Sequence, residues 1–218
     1  MASSMTMRIA IWSDVVCPFC YIGKRRLETA LGQSGVGAVI EWHSFELDPA
    51  APRSLGQTLP QLMSAKYRVD AEGGLRMIEQ QQRAAEAAGL EFNWRDARRG
   101  NTFDAHRLIQ LGTARGCADA VQERLMRAYF TEGAAIGDRD ALARLAVEAG
   151  LDAAEARSLL AGDAFAAEVR ADERRAGELG IGAVPHFVID DHAVISGAAS
   201  VDEFSRVLLA AAARSPAR

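Results

Sequence analysis

Apolar positions change rhythm several times along the chain, and each change marks an element. Arg8-Ile9-Ala10-Ile11-Trp12-Ser13 is rich in β-branched and aromatic residues, which predicts a strand. Tyr21 to Leu31 reads as a helix, with Ile22, Leu27 and Leu31 on its apolar side and Lys24, Arg25, Arg26 and Glu28 on its polar face. Gly32, Gly35 and Gly37 end that helix, Ala38 to Phe45 reads as a second strand, and Pro49 and Pro52 close the unit. Strand, helix, strand at this length predicts a parallel βαβ unit.

From about Leu59 to Leu179 Ala, Arg, Glu and Leu dominate with helical spacing, as in Val121, Leu125 and Tyr129 or Leu142, Leu145, Ala146 and Ala149. Asp152 followed by Glu155 predicts a capping box, and glycines 89, 100, 116, 150 and 162 are candidate helix ends. The strand pattern returns in Val184 to Ile189, turns at Asp190-Asp191-His192, and resumes at Ala193-Val194-Ile195. Ser200 with Glu203 three residues on starts a final helix. The order is βαβ, a helical block, then ββα. Without the block this is the order of a thioredoxin fold, so the expectation is an α/β thioredoxin fold (1–49 and 179–218) interrupted by an inserted all-helical domain (50–178).

Composition narrows the function classes. The chain has 218 residues, 49% hydrophobic and 25% charged, which excludes disorder and fibrous repeats. A formal net charge of -4 argues against a general electrostatic grip on nucleic acid or anionic lipid, so neither is expected as a partner. No apolar run approaches the roughly 20 residues of a membrane span. The opening MASSMTM lacks the long apolar segment of a secretory signal, and a cytoplasmic location is the expectation. Nothing in the sequence fixes an oligomeric state.

Cys17 and Cys20 form a C-x-x-C directly after the first strand, and Cys117 stands alone. In a reducing compartment such a pair is catalytic or metal-binding more often than structural. A structural zinc site needs four N or S ligands, yet there is no second C-x-x-C and the histidines are scattered at 43, 106, 186 and 192, so no metal is expected. Thiol–disulfide exchange needs a thiolate, and a free cysteine at a pKa of about 8.5 is mostly protonated at neutral pH. A helix N-terminus aims unpaired N–H groups at Cys17 and favours its thiolate. Cys20, one turn on, is placed to resolve a mixed disulfide. Pro18 suits the first turn because it has no N–H to leave unpaired. Phe19 brings neither charge nor donor, so milder activation is expected than with histidine between the cysteines. Cys117, after Gly116, reads as a small packing hydrophobe, and Trp12 and Trp42 as core. Pro185 belongs at a strand start or bulge.

Asp14-Val15-Val16-Cys17-Pro18-Phe19-Cys20-Tyr21-Ile22-Gly23 resembles the active-site segment of the DsbA-like thioredoxin superfamily. Three further segments resemble its FrnE-like branch, related to 2-hydroxychromene-2-carboxylate isomerases and kappa-class glutathione transferases. They are His43-Ser44-Phe45-Glu46-Leu47, Asn101-Thr102-Phe103-Asp104-Ala105-His106-Arg107-Leu108 and Gly182-Ala183-Val184-Pro185. The resemblance covers nearly the whole chain and implies a dithiol–disulfide oxidoreductase. Cys17 would be the attacking thiol, Cys20 the resolving thiol, and Val184-Pro185 a cis turn that docks a thiol or disulfide substrate by its backbone. It also implies that Asn101 and His106 face the cysteine pair across a cleft. From the residues alone, Thr102 as a helix N-cap and His106 as an interior histidine stay equally open. No cofactor is implied, although glutathione stays open as a co-substrate. Two other readings remain: a glutathione-dependent isomerase or transferase acting on a small aromatic substrate, and a thioredoxin-fold binding module. The related isomerases carry serine where Cys17 stands.

Overall fold

A computed structural model of the chain describes residues 6–214. The expectation drawn from the opening residues, and the outer ends of the two terminal segments, fall on 1–5 and 215–218 and lie outside the described residues. The first unit is β1 (Met7–Ser13), α1 (Pro18–Ser34) and β2 (Ala38–Ser44), with β1 and β2 parallel from Met7↔Ala38 to Ser13↔Ser44. The last is β3 (His186–Ile189), β4 (Ala193–Ser196) and α9 (Val201–Arg214). β3 runs antiparallel to β1, and the sheet order is β2-β1-β3-β4. β1 is thus a central strand and is buried on both faces. Ile9 and Ile11 pack with Phe187, Ile195, Phe204 and Leu208, while Ala10 and Trp12 pack with Ala176 and Ile181.

Between β2 and β3 lie α2 (Leu59–Tyr67), α3 (Ala71–Glu86), α4 (Phe103–Arg115), α5 (Ala118–Phe130), α6 (Arg139–Glu148), α7 (Ala153–Ala161) and α8 (Ala166–Glu178). These helices share the core of the sheet. One cluster of buried side chains runs from Ile11, Cys17 and Tyr21 through Leu108, Leu125 and Tyr129 to Leu142. A polar clamp joins the two parts as well: Glu123 of α5 accepts from Tyr21 (2.7 Å) and Arg25 (2.7 Å) and pairs with Lys24 (2.9 Å) of α1.

Several local expectations sharpen. Asp152 Oδ1 accepts from the N–H groups of Ala154 and Glu155 (both 2.9 Å), but the Glu155 carboxylate turns to Arg115 (Nε–Oε2 3.0 Å), so only half of that box forms. Among the described residues the complete box is Thr58–Gln61, at the start of α2. Ser200 Oγ accepts from Glu203 N–H (3.2 Å) at the start of α9. Gly116 and Gly162 end α4 and α7. Gly100 does not end a helix: it sits where a Cβ would come within 2.0 Å of the Arg53 carbonyl oxygen. Trp12 and Trp42 are buried, each spending its indole N–H on an aspartate-residue oxygen (Asp172 O, 3.3 Å; Asp119 Oδ1, 3.2 Å). Among the described residues no helix is long and apolar enough to cross a membrane.

Candidate active site

The turn from β1 into α1 is held by its own backbone. Asp14 C=O accepts from Cys17 N–H (3.1 Å), and Cys17 C=O accepts from Cys20 N–H (3.1 Å). Cys17 is the N-cap of α1, in extended conformation (φ -87, ψ 114), and its side chain caps nothing. Pro18 contributes no N–H, no acidic side chain lies in the first turn, and the Phe19 N–H has no acceptor among the described residues. The positive end of the helix is therefore left to the Cys17 sulfur. Gly23 lets α1 lie close on β3: a Cβ there would stand 3.2 Å from Pro185 Cγ and 3.1 Å from Phe187 Cζ.

Both cysteines are free thiols in different surroundings. Cys17 borders a cavity, whereas Cys20 is enclosed, 1% exposed. Burial pushes the Cys20 thiol well up, and the adjacent Cys17 sulfur adds to that by hydrogen bond and charge. Two groups oppose this rise, the Asp14 backbone and the Ser13 side chain. Ser13 Oγ is itself buried and accepts from Gln122 Nε2 (3.2 Å), which leaves its proton for Cys20. Neither Ser13 nor Gln122 stands out in the sequence. Ser13 sits at a strand end and Gln122 inside a distant helix, so no local pattern singles them out.

Across from the helix start, Cys17 Sγ donates to the Val184 carbonyl (3.6 Å). The Val184–Pro185 bond is cis, and Pro185 C=O accepts from Gly197 N–H (2.8 Å). The Val184 N–H has no acceptor among the described residues. Cys17, Cys20, Val184 and Pro185 thus come together.

Asn101 and His106 do not join them in the cavity, which corrects the expectation that they face the pair across a cleft. His106, 1% exposed, lies behind the β1–α1 turn, with Nε2 3.4 Å from Asp14 Oδ1 and too poorly aligned for a hydrogen bond. Burial works to lower its pKa, but Asp14, with Glu46 and Glu173 further off, holds it raised. Asn101 donates to Glu46 Oε1 (3.2 Å) and caps α4 by accepting from Phe103 N–H (2.9 Å), a task the buried Thr102 side chain leaves undone. Asp14 Oδ2 accepts from Leu47 N–H (2.8 Å) and Glu46 pairs with Arg170 (2.6 Å). Three of the motif segments meet here, through Asp14, through Glu46 and Leu47, and through Asn101 and His106, as a brace beneath the active turn. Among the described residues no group of three or more His, Cys, Asp or Glu side chains is placed to hold a metal ion. Cys117 is the N-cap of α5 and packs, half-buried, against the main core.

The family model for the DSBA-like thioredoxin domain matches residues 8–209. The protein YwbO of Bacillus subtilis is 33% identical over 206 residues, covering 94% of this chain and 96% of its own. Among solved structures, a probable DsbA oxidoreductase of Streptomyces coelicolor is 40% identical with a TM-score of 0.87, over 94% of this chain and 89% of that one. The cytosolic disulfide reductase DsbM of Pseudomonas aeruginosa, solved with GSH, is 21% identical with a TM-score of 0.64, over 93% and 98%, a likeness of fold. Matched along almost its whole length and carrying the dithiol pair at the start of α1, this chain belongs to the DSBA-like thioredoxin domain family and is a dithiol–disulfide oxidoreductase.

Proposed function

We propose that the protein exchanges disulfides with small thiols or proteins in the cytosol, with Cys17 as the attacking sulfur. The observation that carries this reading is the asymmetry of the pair. Both are buried, but Cys17, 4% exposed at a helix N-terminus, lines the cavity, whereas Cys20 lies behind it with its thiol pushed up. The Cys17 thiolate attacks one sulfur of a substrate disulfide, forms a mixed disulfide and expels the other half as a thiolate, which takes up a proton. Cys20 then loses its proton, eased by the Ser13 hydroxyl, and attacks the Cys17 sulfur. The second substrate thiolate leaves, and two electrons have passed from the dithiol to the substrate. Run backwards, the same steps oxidise a dithiol. The Val184 N–H and C=O flank the path of attack and are suited to align an extended substrate. The cytosolic placement rests on the likeness to DsbM, and the GSH bound to that protein supports glutathione as a substrate here.

Incubation of Cys20→Ser with oxidised glutathione tests the order of attack. A mixed disulfide at Cys17 should accumulate and be visible by mass spectrometry, while Cys17→Ser should trap none. Absence of an adduct on Cys20→Ser would overturn the assignment. Equilibration of the native protein in glutathione buffers then gives the reduction potential, which sets the direction of exchange.

A further inference from the structure

Beside Cys17 lies a cavity of about 280 Å³. That is nearly twice the roughly 150 Å³ of an apolar cavity that accepts benzene. The first turn of α1 forms one wall and Gly182-Ala183-Val184 another, while the α2–α3 hairpin roofs it with Met63 and Ile78. Its floor is aromatic: Phe92 and Phe130 stack with centroids 4.3 Å apart and planes 12° from parallel. Gln81 and Gln82 of α3 add amides to the apolar lining, and two further features bear on the ligand. Tyr129 is 1% exposed and lines the cavity, and its hydroxyl makes no hydrogen bond to another group among the described residues, which leaves it free for a ligand. Burial pushes that hydroxyl up, so it stays a proton donor. Lys66 and Arg99 also line the space. Neither makes an ion pair among the described residues, and no aspartate or glutamate lines the cavity with them.

We propose that this cavity is the specificity pocket of the exchange reaction and takes the aromatic body of a small organic disulfide bearing a carboxylate. The ring lies on Phe92 and Phe130 under Met63 and Ile78, the carboxylate pairs with Lys66 and Arg99, and Tyr129 donates to an acceptor on the ring or its carboxylate. The disulfide sulfur then reaches the cavity mouth at Cys17. An aromatic side chain of a peptide would fill the same space but would leave both cations without a counter-charge. The proposal rests on the redox reading of Cys17 and Cys20.

Single-turnover rates of the reduced protein with three disulfides test it: dithiobis-nitrobenzoate (aromatic, anionic), dithiodipyridine (aromatic, neutral) and cystamine (aliphatic, cationic). Each variant is compared with the native protein on the same probe, which cancels the intrinsic reactivity of the probes. Lys66→Ala combined with Arg99→Ala should lower the rate with dithiobis-nitrobenzoate relative to dithiodipyridine by about tenfold. Tyr129→Phe should lower it by about threefold to tenfold. Met63→Trp, which fills the roof, should lower both aromatic probes relative to cystamine by about tenfold. Leu59→Trp replaces it if Met63→Trp does not fold.

Unchanged ratios in all variants would overturn the pocket while leaving the redox reading intact, since native exchange with cystamine would still be seen. A steric effect without a charge effect would overturn the anionic assignment in favour of a neutral side chain. Native protein that reacts with none of the three would overturn the redox reading itself.

Discussion

Two cysteines in this chain stand at the same kind of address. Cys17 is the N-cap of α1 and Cys117 the N-cap of α5, and neither side chain caps its helix. The first turn of α5 contains Asp119, whose carboxylate takes the Trp42 indole N–H (3.2 Å) and lies 3.5 Å from Lys24 Nζ. That negative charge already answers the helix dipole, and no second cysteine follows within a turn. The first turn of α1 has no acid, and it has Cys20 one turn in and the Val184 carbonyl across the gap. A helix N-terminus is therefore not sufficient for the thiol, and the partners around it make the site.

Breaking the comparison at its strongest point gives the largest effect. Cys17→Ser should abolish exchange with oxidised glutathione, whereas Cys117→Ser should keep it within about twofold, as expected of a packing residue. Loss of activity on changing Cys117 would remove the distinction. Thiol reactivity sharpens it further. In brief alkylation with iodoacetamide at neutral pH, Cys20 should be modified last, by about tenfold or more relative to Cys17. Its burial both shields the sulfur and keeps it protonated. Peptide mapping reads the order, and equal labelling of the two would contradict the asymmetry.

The surroundings of the two helix starts can be loosened separately. Glu123→Gln weakens the clamp between α5 and α1 and should cost about 1–2 kcal/mol in chemical denaturation, on the scale of a partly buried ion pair. Although burial works the other way, Lys24, Tyr21 and Arg25 hold the Glu123 carboxyl below its ordinary 4.5. Its contribution is thus fully present above that value and fades as pH falls through the lowered folded value, so the gap to Glu123→Gln should narrow in acid. His106 behaves with the opposite sign. Its folded pKa is raised above 6.5, so the contribution of the His106–Asp14 contact is complete below that pH and is lost as pH rises through the folded value. His106→Gln should therefore show its largest deficit in mildly acid solution and a smaller one in alkali. Denaturation series across pH separate the two, and a deficit that grew with pH would contradict the His106 assignment.

Much of this was legible in local pattern. The β-branched and aromatic run from Ile9 to Trp12 marks a strand, and C-P-F-C after it marks the helix start; that both faces of the strand are buried came from the fold. Thr58–Gln61 escaped notice because α2 has only nine residues and a proline near its start, too short for a periodic signal. For Asn101 and His106 the resemblance points to a cleft and the residues alone leave an interior histidine equally open; the structure has the interior one, with Asn101 on Glu46 and His106 beside Asp14. Polar residues in a motif look alike whether they face a ligand or brace a turn, and only burial tells them apart.

The sequence by itself determined the element types, their order and the placing of two thiols one turn apart at a helix N-terminus. These depend on propensity and spacing within a turn or two of chain. Only the tertiary structure decided that Cys20 is sealed and Cys17 borders space, and that the Val184 carbonyl, 167 residues away, meets the attacking sulfur. It also decided that α2 and α3 roof an aromatic cavity whose two cations make no ion pair among the described residues. Burial and charge environment belong to whatever the closed chain brings alongside, and no stretch of sequence carries its distant neighbours with it.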